Sequence, residues 1–359
     1  MGKNLVIDAR MLQSSGIGIY LKELLSHFKT YAQIHCLIKD EDRFFFDEKS
    51  IPYTIFNERI YSIKEQLKYY SVIPEADIFW SPHYNTPLLP IKCKRRVVTI
   101  HDAYHLSDIS EVNMKQKLYA NILMYNSTRR SDRVITVSEF SKQEIIHYTN
   151  CKADKVTVIH NGVVKNETIS NLPNGKYSLP DKYLLFVGNV KPHKNLIIIC
   201  QAFLKLPINL RNELKIVIVG KKDGFINGDS ALIHLINNDL TLRQNVIFTG
   251  YVAAEDMNAI YRNASVFIFP SLYEGFGLPP LEAMSNSTPV ICSDILPLQE
   301  VCGEAAMYFD PKDPNDLVQC IIRMIDAETV KKYISSGLEQ VKKFTWKASF
   351  NKHLEVFNL

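Results

Sequence analysis

No stretch of the 359-residue sequence comes near the roughly 18 uninterrupted apolar residues that a transmembrane helix needs, so we expect no membrane-spanning segment. The first ten residues place an acid within a short apolar run and lack a small-residue cleavage site, which predicts no secretory signal. A myristoylation signal has Ser or Thr at position 6, where this chain has Val6, so we expect no lipid at Gly2.

The sequence also lacks the cysteine and histidine spacings that are typical of metal sites and disulfide frameworks. The seven cysteines are scattered, odd in number and never form a C-x-x-C pair, which argues against a disulfide framework and against a zinc site. None of the ten histidines belongs to an H-E-x-x-H pair. The sequence therefore predicts a protein of the reducing cytoplasm without a metal site.

What the sequence does have is an uneven distribution of charge. Residues 1–175 hold 23 Lys and Arg against 19 Asp and Glu, whereas the remainder is balanced, so the net charge of +4 lies entirely in the first half. Such an excess favours an anionic surface or substrate, and ordinary solvated charge is the competing explanation.

Short β-branched runs alternate with helical patterns along most of the chain. In the first half the predicted strands are 4–9, 96–100, 133–137 and 155–159. In the second half they are 183–188, 215–220, 246–250, 265–269 and 289–293. Continuous apolar strands that alternate with helices predict parallel sheets covered on both faces, that is, two doubly wound α/β domains.

A break separates the two series of strands. Residues 165–182 contain Pro, Gly, Asn and Ser and almost no apolar periodicity, as linkers do. The predicted organisation is a first domain at 1–170, a linker at 171–182, a second domain at 183–340 and a closing helical segment at 341–359.

Open α/β sheets bind ligands beyond the carboxyl ends of their strands, so the residues that follow each strand are candidates for a site. After the first strand, Gly16 and Gly18 lie where a loop passes into a helix, whose amides and dipole favour an anion. Structural glycines in a turn are an equally good explanation. After the strand at 96–100 come His101 and Asp102, which can position a substrate hydroxyl or serve the structure alone.

The second domain opens with a polar, cationic loop. Asn189, Lys191, His193 and Lys194 lie between a strand and a helix N-terminus, an arrangement that suits a diphosphate. Taken alone, the lysines of this loop would be explained as solvated surface charge.

The segment SLYEGFGLPPLEAM at 271–284 adds two acidic residues and a glycine-rich bend to this cationic loop. Gly275 and Gly277 allow backbone N–H groups to approach a ligand closely, because no Cβ intervenes. The two prolines that follow suit the start of a helix. Glu274 therefore precedes the bend and Glu282 lies in the first turns of the helix, so both can accept hydrogen bonds from one ligand. Sugars offer such hydroxyls, and loop and bend together predict a nucleotide-sugar site.

With these motifs the sequence resembles glycosyltransferase family 4, a family of retaining enzymes with the GT-B fold. The most specific part is EGFGLPPLE at 274–282, which matches the family's E-x7-E pattern, and TIHD at 99–102, VSEFS at 137–141 and NGV at 161–163 occur in the family's order. The resemblance spans nearly the whole chain. It implies two Rossmann-like doubly wound domains facing each other across a cleft, with the final helix crossing back to the first domain.

The resemblance also implies roles for individual residues. Glu274 would contact the transferred sugar, Glu282 the ribose and Lys194 the diphosphate. His101 would lie beside the transferred sugar and the acceptor, which makes His101, Lys194 and Glu274 the predicted catalytic residues. The other predicted contacts to the nucleotide-sugar, several through backbone, are Gly16, Gly18, Asn189, His193, Tyr251, Val252, Phe276, Gly277 and Leu278.

Two positions depart from the family pattern. Many members carry Arg directly before the phosphate-binding lysine, where this chain has His193, and Arg in the GIGRY motif, where it has Ile19. A histidine is smaller and only partly charged near neutral pH, so Lys194 and helix amides would carry more of the diphosphate.

The implied reaction is the transfer of a hexose, with GDP-mannose the favoured nucleotide-sugar, to a glycan or lipid-linked acceptor in bacterial surface-polysaccharide (lipopolysaccharide) biosynthesis. The leaving diphosphate would deprotonate the acceptor, so we expect neither a metal ion nor a cofactor. The nucleotide-sugar is a substrate, and no nucleic acid is expected as a partner.

Alternative functions are a glycoside hydrolase, a sugar-nucleotide epimerase of similar fold, a dinucleotide oxidoreductase and a non-catalytic sugar-binding protein. A hydrolase would need a second carboxylate opposite Glu274 and would leave the cationic loop without a task. Product analysis separates an epimerase from a transferase, and nicotinamide absorbance tests for an oxidoreductase. The intact set of Glu274, Glu282, Lys194 and His101 argues against a protein that has lost catalysis.

A lipid-linked acceptor would place the enzyme in the cytoplasm, at the inner face of the cytoplasmic membrane. Segments 59–71 and 113–130 combine aromatic with basic residues and suit an anionic membrane surface, with Tyr61, Tyr69 and Tyr70 among the expected contacts. Packing of the same aromatic residues in the core of the first domain is the alternative.

Overall fold

A computed structural model describes residues 3–164, 176–220 and 229–359 of the chain. The chain forms two compact units: unit 1 comprises residues 1–162 and 346–359, and unit 2 comprises residues 163–345. Each unit contains one parallel β-sheet, so the predicted fold class of two Rossmann-like doubly wound domains is confirmed. The predicted linker at 171–182 begins outside the described residues, and the predicted domain bounds stay predictions.

Unit 1 has a seven-stranded sheet within the described part of the chain. Its strands are β1 Asn4–Asp8, β2 Gln33–Ile38, β3 Tyr53–Ile55, β4 Ala76–Ser81, β5 Cys93–Thr99, β6 Arg133–Thr136 and β7 Val156–Val158. Its α-helices are α1 Ser15–Phe28, α2 Arg43–Glu48, α3 Ile63–Val72, α4 Met114–Arg130, α5 Glu139–Thr149 and α15 Trp346–Phe357. The strand order is β3-β2-β1-β4-β5-β6-β7.

Unit 2 has a six-stranded sheet among the residues described. Its strands are β8 Tyr183–Val187, β9 Lys215–Val219, β10 Val246–Gly250, β11 Val266–Phe269, β12 Val290–Ser293 and β13 Ala306–Phe309. Its α-helices are α6 Leu196–Lys205, α7 Ile208–Glu213, α8 Ser230–Asn238, α9 Leu240–Asn245, α10 Ala254–Asn263, α11 Leu278–Ser285, α12 Leu296–Cys302, α13 Pro314–Arg323 and α14 Ala327–Val341. The strand order is β10-β9-β8-β11-β12-β13.

Each sheet has one point at which the direction of strand addition reverses. In unit 1 this switch point lies between β1 and β4, and in unit 2 between β8 and β11. Loops that leave two such strands diverge to opposite faces, and the space between them is where doubly wound folds bind ligands. The loops after β8 and β11 carry Lys194 and Glu274, and the loops after β1 and β4 carry a set of buried polar residues.

The core of unit 1 includes the last helix of the chain. From α15, Trp346, Phe350 and Phe357 are buried together with residues of α1 and of the strands. The ring of Phe28 on α1 lies 5.0 Å from that of Phe350 and 5.4 Å from that of Phe357. Burying such rings is strongly favourable, which explains why α15 packs in unit 1 although unit 2 precedes it in sequence.

A buried hydrogen bond also ties α15 to α1. The Nδ1 atom of His353 lies 2.8 Å from the carbonyl oxygen of Ser349, and its Nε2 atom lies 2.6 Å from the hydroxyl of Tyr20. Because a carbonyl only accepts, Nδ1 carries the proton and Nε2 accepts from Tyr20. Burial lowers the pKa of His353 to about 4, so the ring is neutral and can accept in this way at neutral pH.

Across the described ranges, no helix has both the length and the apolar character needed to cross a membrane.

Candidate functional site

The candidate site of unit 2 lies at its switch point and is centred on a contact between Lys194 and Glu274. The loop after β8 ends in a short 3-10 turn that contains Lys194, and Glu274 lies in the loop after β11. The Nζ atom of Lys194 is 2.6 Å from Oε1 of Glu274, and the two side chains are only 18% and 13% exposed. Two of the three predicted catalytic residues, 80 positions apart in sequence, therefore form one sheltered ion pair.

Backbone geometry holds the two loops together. The amide of Leu272 donates to the carbonyl oxygen of His193 at 2.8 Å, which joins the loop after β11 to the loop after β8. Directly after Lys194, Asn195 adopts the left-handed conformation with φ of 55°, which asparagine tolerates better than most residues. Its side-chain amide donates to the carbonyl of Pro311 at 2.8 Å, so the turn that presents Lys194 is anchored to the loop after β13.

Gly277 shapes the bend between Glu274 and α11. Its φ is +107°, a conformation that residues with a Cβ rarely adopt. A Cβ at this position would lie 2.7 Å from Cδ2 of Leu298, so a side chain here would also force the buried Leu298 to shift. Phe276 is buried with its ring 5.8 Å from that of Phe344, so only its backbone is placed to meet a ligand.

Glu282 has a different partner from Glu274. It lies on α11, half-buried, and its Oε2 atom accepts a hydrogen bond of 2.8 Å from the hydroxyl of Tyr261. Burial raises the pKa of Glu282, and the bond from Tyr261 partly offsets this. The two acids of the predicted pattern are thus held separately, Glu274 by a cation and Glu282 by a neutral hydroxyl.

Other predicted contacts of unit 2 lie in the loops after β8 and β10. Asn189 is exposed and His193 half-buried in the loop after β8. Tyr251 is 73% exposed and Val252 is buried. They follow β10 at the edge of the sheet, and β9 separates that strand from β8. The role predicted for each of these residues stays a prediction.

In unit 1, the two glycines near the start of α1 have different environments. Gly16 is exposed, and a Cβ there would have open space around it. Gly18 is buried, its amide donates to the carbonyl of Ser14 at 2.6 Å, and a Cβ would lie 2.3 Å from the carbonyl oxygen of Leu12. Close backbone packing therefore explains Gly18, and its amide is already engaged within the helix.

His101 follows β5 and is half-buried in unit 1. Its Nε2 atom lies 2.9 Å from the carbonyl oxygen of Pro82, and its ring centroid is 5.0 Å from that of Tyr20 in an edge-on arrangement. Burial lowers the pKa of His101, against smaller opposing effects of the Pro82 bond and of Asp102. The ring is therefore neutral at neutral pH.

A buried ionic network at the switch point of unit 1 was not predicted from the sequence. Arg10, 1% exposed, donates to Asp8 through Nε at 2.8 Å and through Nη2 at 2.6 Å. The same Nη2 atom donates to Oε1 of Glu65 at 2.6 Å and to the hydroxyl of Tyr69 at 2.5 Å. The guanidinium also lies over the ring of Phe56, 4.2 Å from its centroid.

The two carboxyl groups of this network have pKa values shifted in opposite directions. Burial opposes ionisation of Asp8, but the charge and hydrogen bonds of Arg10 outweigh it and lower the pKa of that carboxyl. For Glu65 burial prevails, and its pKa is raised although Arg10 and Asn85 act against the shift. The sequence indicated this network only through Asp8 and Arg10, two charged residues at the end of a buried strand. Because an unpaired charge in such a position would be costly, their presence there suggests that they are paired.

Among the described residues, no group of three or more His, Cys, Asp or Glu side chains is arranged to hold a metal ion.

Comparison with known proteins identifies the family. Residues 14–167 match the model of Glycosyltransferase Family 4, and residues 173–340 match that of Glycosyl transferases group 1. O-antigen chain mannosyltransferase B of Escherichia coli is 30% identical over 290 residues, which cover 79% of this chain and 74% of that protein.

Further relatives agree with this family. O-antigen chain mannosyltransferase RfbU of Salmonella typhimurium is 32% identical over 234 residues, which cover 64% of this chain and 60% of that protein. The crystal structure of HepE from Anabaena in complex with UDP-glucose aligns with a TM-score of 0.77 at 18% identity, covers 100% of both chains and shows a common fold. With two family models along its length and a sheltered cation–acid pair at a switch point, the chain belongs to glycosyltransferase family 4 and is a glycosyltransferase with the GT-B fold.

Proposed function

We propose that this glycosyltransferase transfers a mannosyl residue from GDP-mannose to a glycan or lipid-linked acceptor, with retention of configuration. The observation that carries the proposal is the Lys194–Glu274 contact of 2.6 Å at the switch point of unit 2. One nucleotide-sugar presents a diphosphate that suits the ammonium group and hydroxyls that suit the carboxylate. A pair already in contact can therefore bind adjacent parts of that substrate.

The proposed reaction breaks the bond between the anomeric carbon and the diphosphate oxygen and forms one from that carbon to an acceptor oxygen. The acceptor hydroxyl loses its proton to the leaving diphosphate on the same face of the sugar. Charge on the diphosphate grows as the bond breaks, so Lys194 and the backbone amides around Gly277 stabilise the transition state more than the ground state. Glu274 orients the sugar through its hydroxyls.

The other residues act in binding. Glu282 accepts a hydrogen bond from the ribose while Tyr261 holds its Oε2 atom. His101, neutral and donating through Nε2 to Pro82, accepts a hydroxyl of the sugar or acceptor through Nδ1. No step of this scheme uses a metal ion or a cofactor.

The choice of mannose rests on the relatives. Two proteins at 30% and 32% identity are O-antigen chain mannosyltransferases, and their names supply the sugar and the class of acceptor. HepE, which binds UDP-glucose in its crystal, is 18% identical and carries no argument about the nucleotide-sugar of this chain.

A panel of nucleotide-sugars tests this choice. We expect the purified full chain to hydrolyse GDP-mannose faster than UDP-glucose, UDP-N-acetylglucosamine or dTDP-rhamnose by about tenfold or more, because base and sugar contacts add in the transition state. Release of the nucleoside diphosphate, measured with and without protein, is the readout. A preference for any other member of the panel would contradict the mannose assignment, and the absence of turnover with all four would contradict the proposed activity.

We also propose that unit 1 binds an anionic membrane surface through the outer faces of α3 and α4. Ile63 and Leu67 on α3 are 80% and 65% exposed, and Met114 and Leu118 on α4 are 83% and 62% exposed. Lys64, Lys68, Arg129 and Arg130 are exposed on the same two helices. The hydroxyl of Tyr119 donates to the carbonyl of Tyr61 at 2.9 Å, which brings the start of α3 beside α4.

Tyr69, predicted at this surface, is fully buried, so that part of the prediction is wrong.

Liposome flotation tests the membrane proposal. Binding to anionic vesicles should be strong at low salt and fall several-fold at high salt, since each basic residue near such a surface contributes about 1 kcal/mol and salt screens it. Replacing Leu67 and Leu118 with Asn should weaken binding at both salt concentrations, because less apolar surface inserts. Ile208 and Leu240 of unit 2, each 61% exposed, are the matched control pair. Binding that ignores lipid charge, or equal loss in both pairs, would refute the proposed surface.

A further inference from the structure

The position of His101 depends on a short loop, residues 82–86, which follows β4 and is called the β4 loop below. The Pro82 carbonyl in this loop accepts from Nε2 of His101 at 2.9 Å. A carbonyl has no proton to give, so Nε2 carries the ring proton and Nδ1 keeps its lone pair. Within the described part of the chain, Nδ1 of His101 makes no hydrogen bond. The loop therefore selects which ring nitrogen is available to a ligand.

The β4 loop is itself held by buried hydrogen bonds. Ser81, at the end of β4, donates through its hydroxyl to the carbonyls of His83 at 3.0 Å and Asn85 at 3.3 Å. The amide of Asn85 donates to Nδ1 of His83 at 3.2 Å, which closes the loop on itself. Asn85 and Ser81 are fully buried and His83 is 2% exposed, so solvent does not compete with these bonds.

The strongest anchor of the loop comes from α3. The side-chain amide of Asn85 donates to both carboxylate oxygens of Glu65, at 2.9 and 2.8 Å. Hydrogen bonds to an ionised group are roughly twice as strong as bonds between neutral groups. Glu65 is in turn held by Arg10 at 2.6 Å and by the backbone amide of Tyr61 at 2.8 Å. A continuous path of buried bonds thus runs from the ionic network to the loop.

We infer that Asn85, held by Glu65, is a positioning residue for His101. It fixes the β4 loop so that the Pro82 carbonyl holds His101 with its proton on Nε2, and Nδ1 is left to accept a hydroxyl of the substrate. The inference deepens the role proposed for His101 above and rests on it. Without the anchor the carbonyl moves, the ring proton distributes over both nitrogens, and the fraction of His101 that can accept a hydroxyl falls.

The test measures the tautomer of His101 directly in the full chain without substrate. Histidine side chains labelled with ¹⁵N give two-bond proton–nitrogen correlations that distinguish a protonated from an unprotonated ring nitrogen, and His101→Gln assigns the signals. We expect the wild type to show the Nε2–H form, and Asn85→Ala to move both nitrogens toward the averaged values of mixed tautomers. With the best substrate of the panel, kcat should fall about tenfold while KM for the nucleotide-sugar changes little.

Two further variants keep the test decisive. Asn113→Ala removes the N-cap of α4, an asparagine in unit 1 without a bond to the β4 loop, and controls for general destabilisation. Glu65→Gln keeps the volume of the side chain and one acceptor oxygen, so it should shift the tautomer equilibrium of His101 in the same direction as Asn85→Ala, but by less. This variant replaces Asn85→Ala if the latter does not fold. An unchanged His101 tautomer in these variants, or an equal change in Asn113→Ala, would overturn the inference. Failure of mannosyl transfer alone would refute the proposed function and leave the tautomer result standing.

Discussion

Replacing Glu274 with Gln is expected to lower the rate of glycosyl transfer by about 100-fold or more, the usual cost of losing one preorganised polar contact in an active site. The variant keeps the size and one oxygen of the side chain but loses the charge that pairs with Lys194 at 2.6 Å. The amide does not hold the ammonium group in the position that we propose for binding the diphosphate, and it accepts hydrogen bonds from hydroxyl groups less strongly than a carboxylate does. Steady-state transfer or nucleotide-sugar hydrolysis by the purified variant measures the effect.

Lys194→Met and the double variant complete the experiment. Lys194→Met should lose activity to a similar degree, and the double variant should lose little more than either single one, because in the proposed reaction both residues bind one substrate. Glu213→Gln is the matched control: it breaks the Lys182–Glu213 pair of 2.7 Å in the same unit, whose side chains are 60% and 55% exposed. Near-normal transfer by Glu274→Gln, or an equal loss in Glu213→Gln, would show that the pair is not catalytic.

Most of the fold was accessible from the sequence because parallel strands buried on both faces form continuous apolar runs. All nine predicted strands are confirmed, with ends shifted by a few residues. Four strands were missed because their β-branched runs are short or interrupted. β2 contains the polar residues Gln33 and His35, β3 has three residues, β4 contains Asp77 and Trp80 among its six, and the four residues of β13 include none that is β-branched. Their strand character comes from the neighbours with which they pair, which local propensity does not contain.

The loops of the candidate site were also predictable, but the contact between their charged side chains was not. Glycines, prolines and charges directly after apolar strands marked the loops of Lys194 and Glu274. That the two charges pair with each other follows only from the order of the strands, which places β11 beside β8 rather than next to β10, its neighbour in sequence. Sequence spacing contains no information about such an adjacency.

The buried network of unit 1 was the largest omission. Charged residues are almost never fully buried unless they are paired, so the burial of Arg10 and Glu65 depends on partners that are distant in sequence. Glu65 lies between Lys64 and Leu67 of α3, in a segment whose composition suggested a membrane surface, or packing of its aromatic residues in the core, but no buried charge. The inward face of that helix, with Glu65, Gln66 and Tyr69 buried, becomes visible only once α3 is packed against the strands.

Replacing Arg10 with Met is expected to destabilise the protein by about 3–5 kcal/mol, the typical cost of removing one partner of a buried ion pair. The thioether fills part of the space of the guanidinium but leaves Asp8 and Glu65 buried without their shared cation. For a unit of this size the loss corresponds to a fall of about 10 °C or more in the unfolding midpoint. Circular dichroism during heating and denaturant titration measures it. Arg43→Met, which breaks the exposed pair of Arg43 with Asp40, should change stability by less than about 1 kcal/mol.

The pH dependence of Arg10→Met separates lost charge pairing from lost packing. In the wild type the pKa of Asp8 is lowered, so its contribution is full above the pKa of the unfolded chain and is lost as pH falls through the folded value. Without Arg10 the pKa of the buried Asp8 carboxyl is raised, and that of Glu65, already raised in the wild type, rises further. Folding of the variant therefore takes up more protons, and the variant gains stability relative to the wild type as pH falls. The difference between the two proteins should therefore be largest at pH 8 and should shrink steadily toward pH 5. A difference that stays constant across this range would mean that Arg10 stabilises unit 1 through packing alone, against Phe56 and Tyr69, and that its charge contributes nothing.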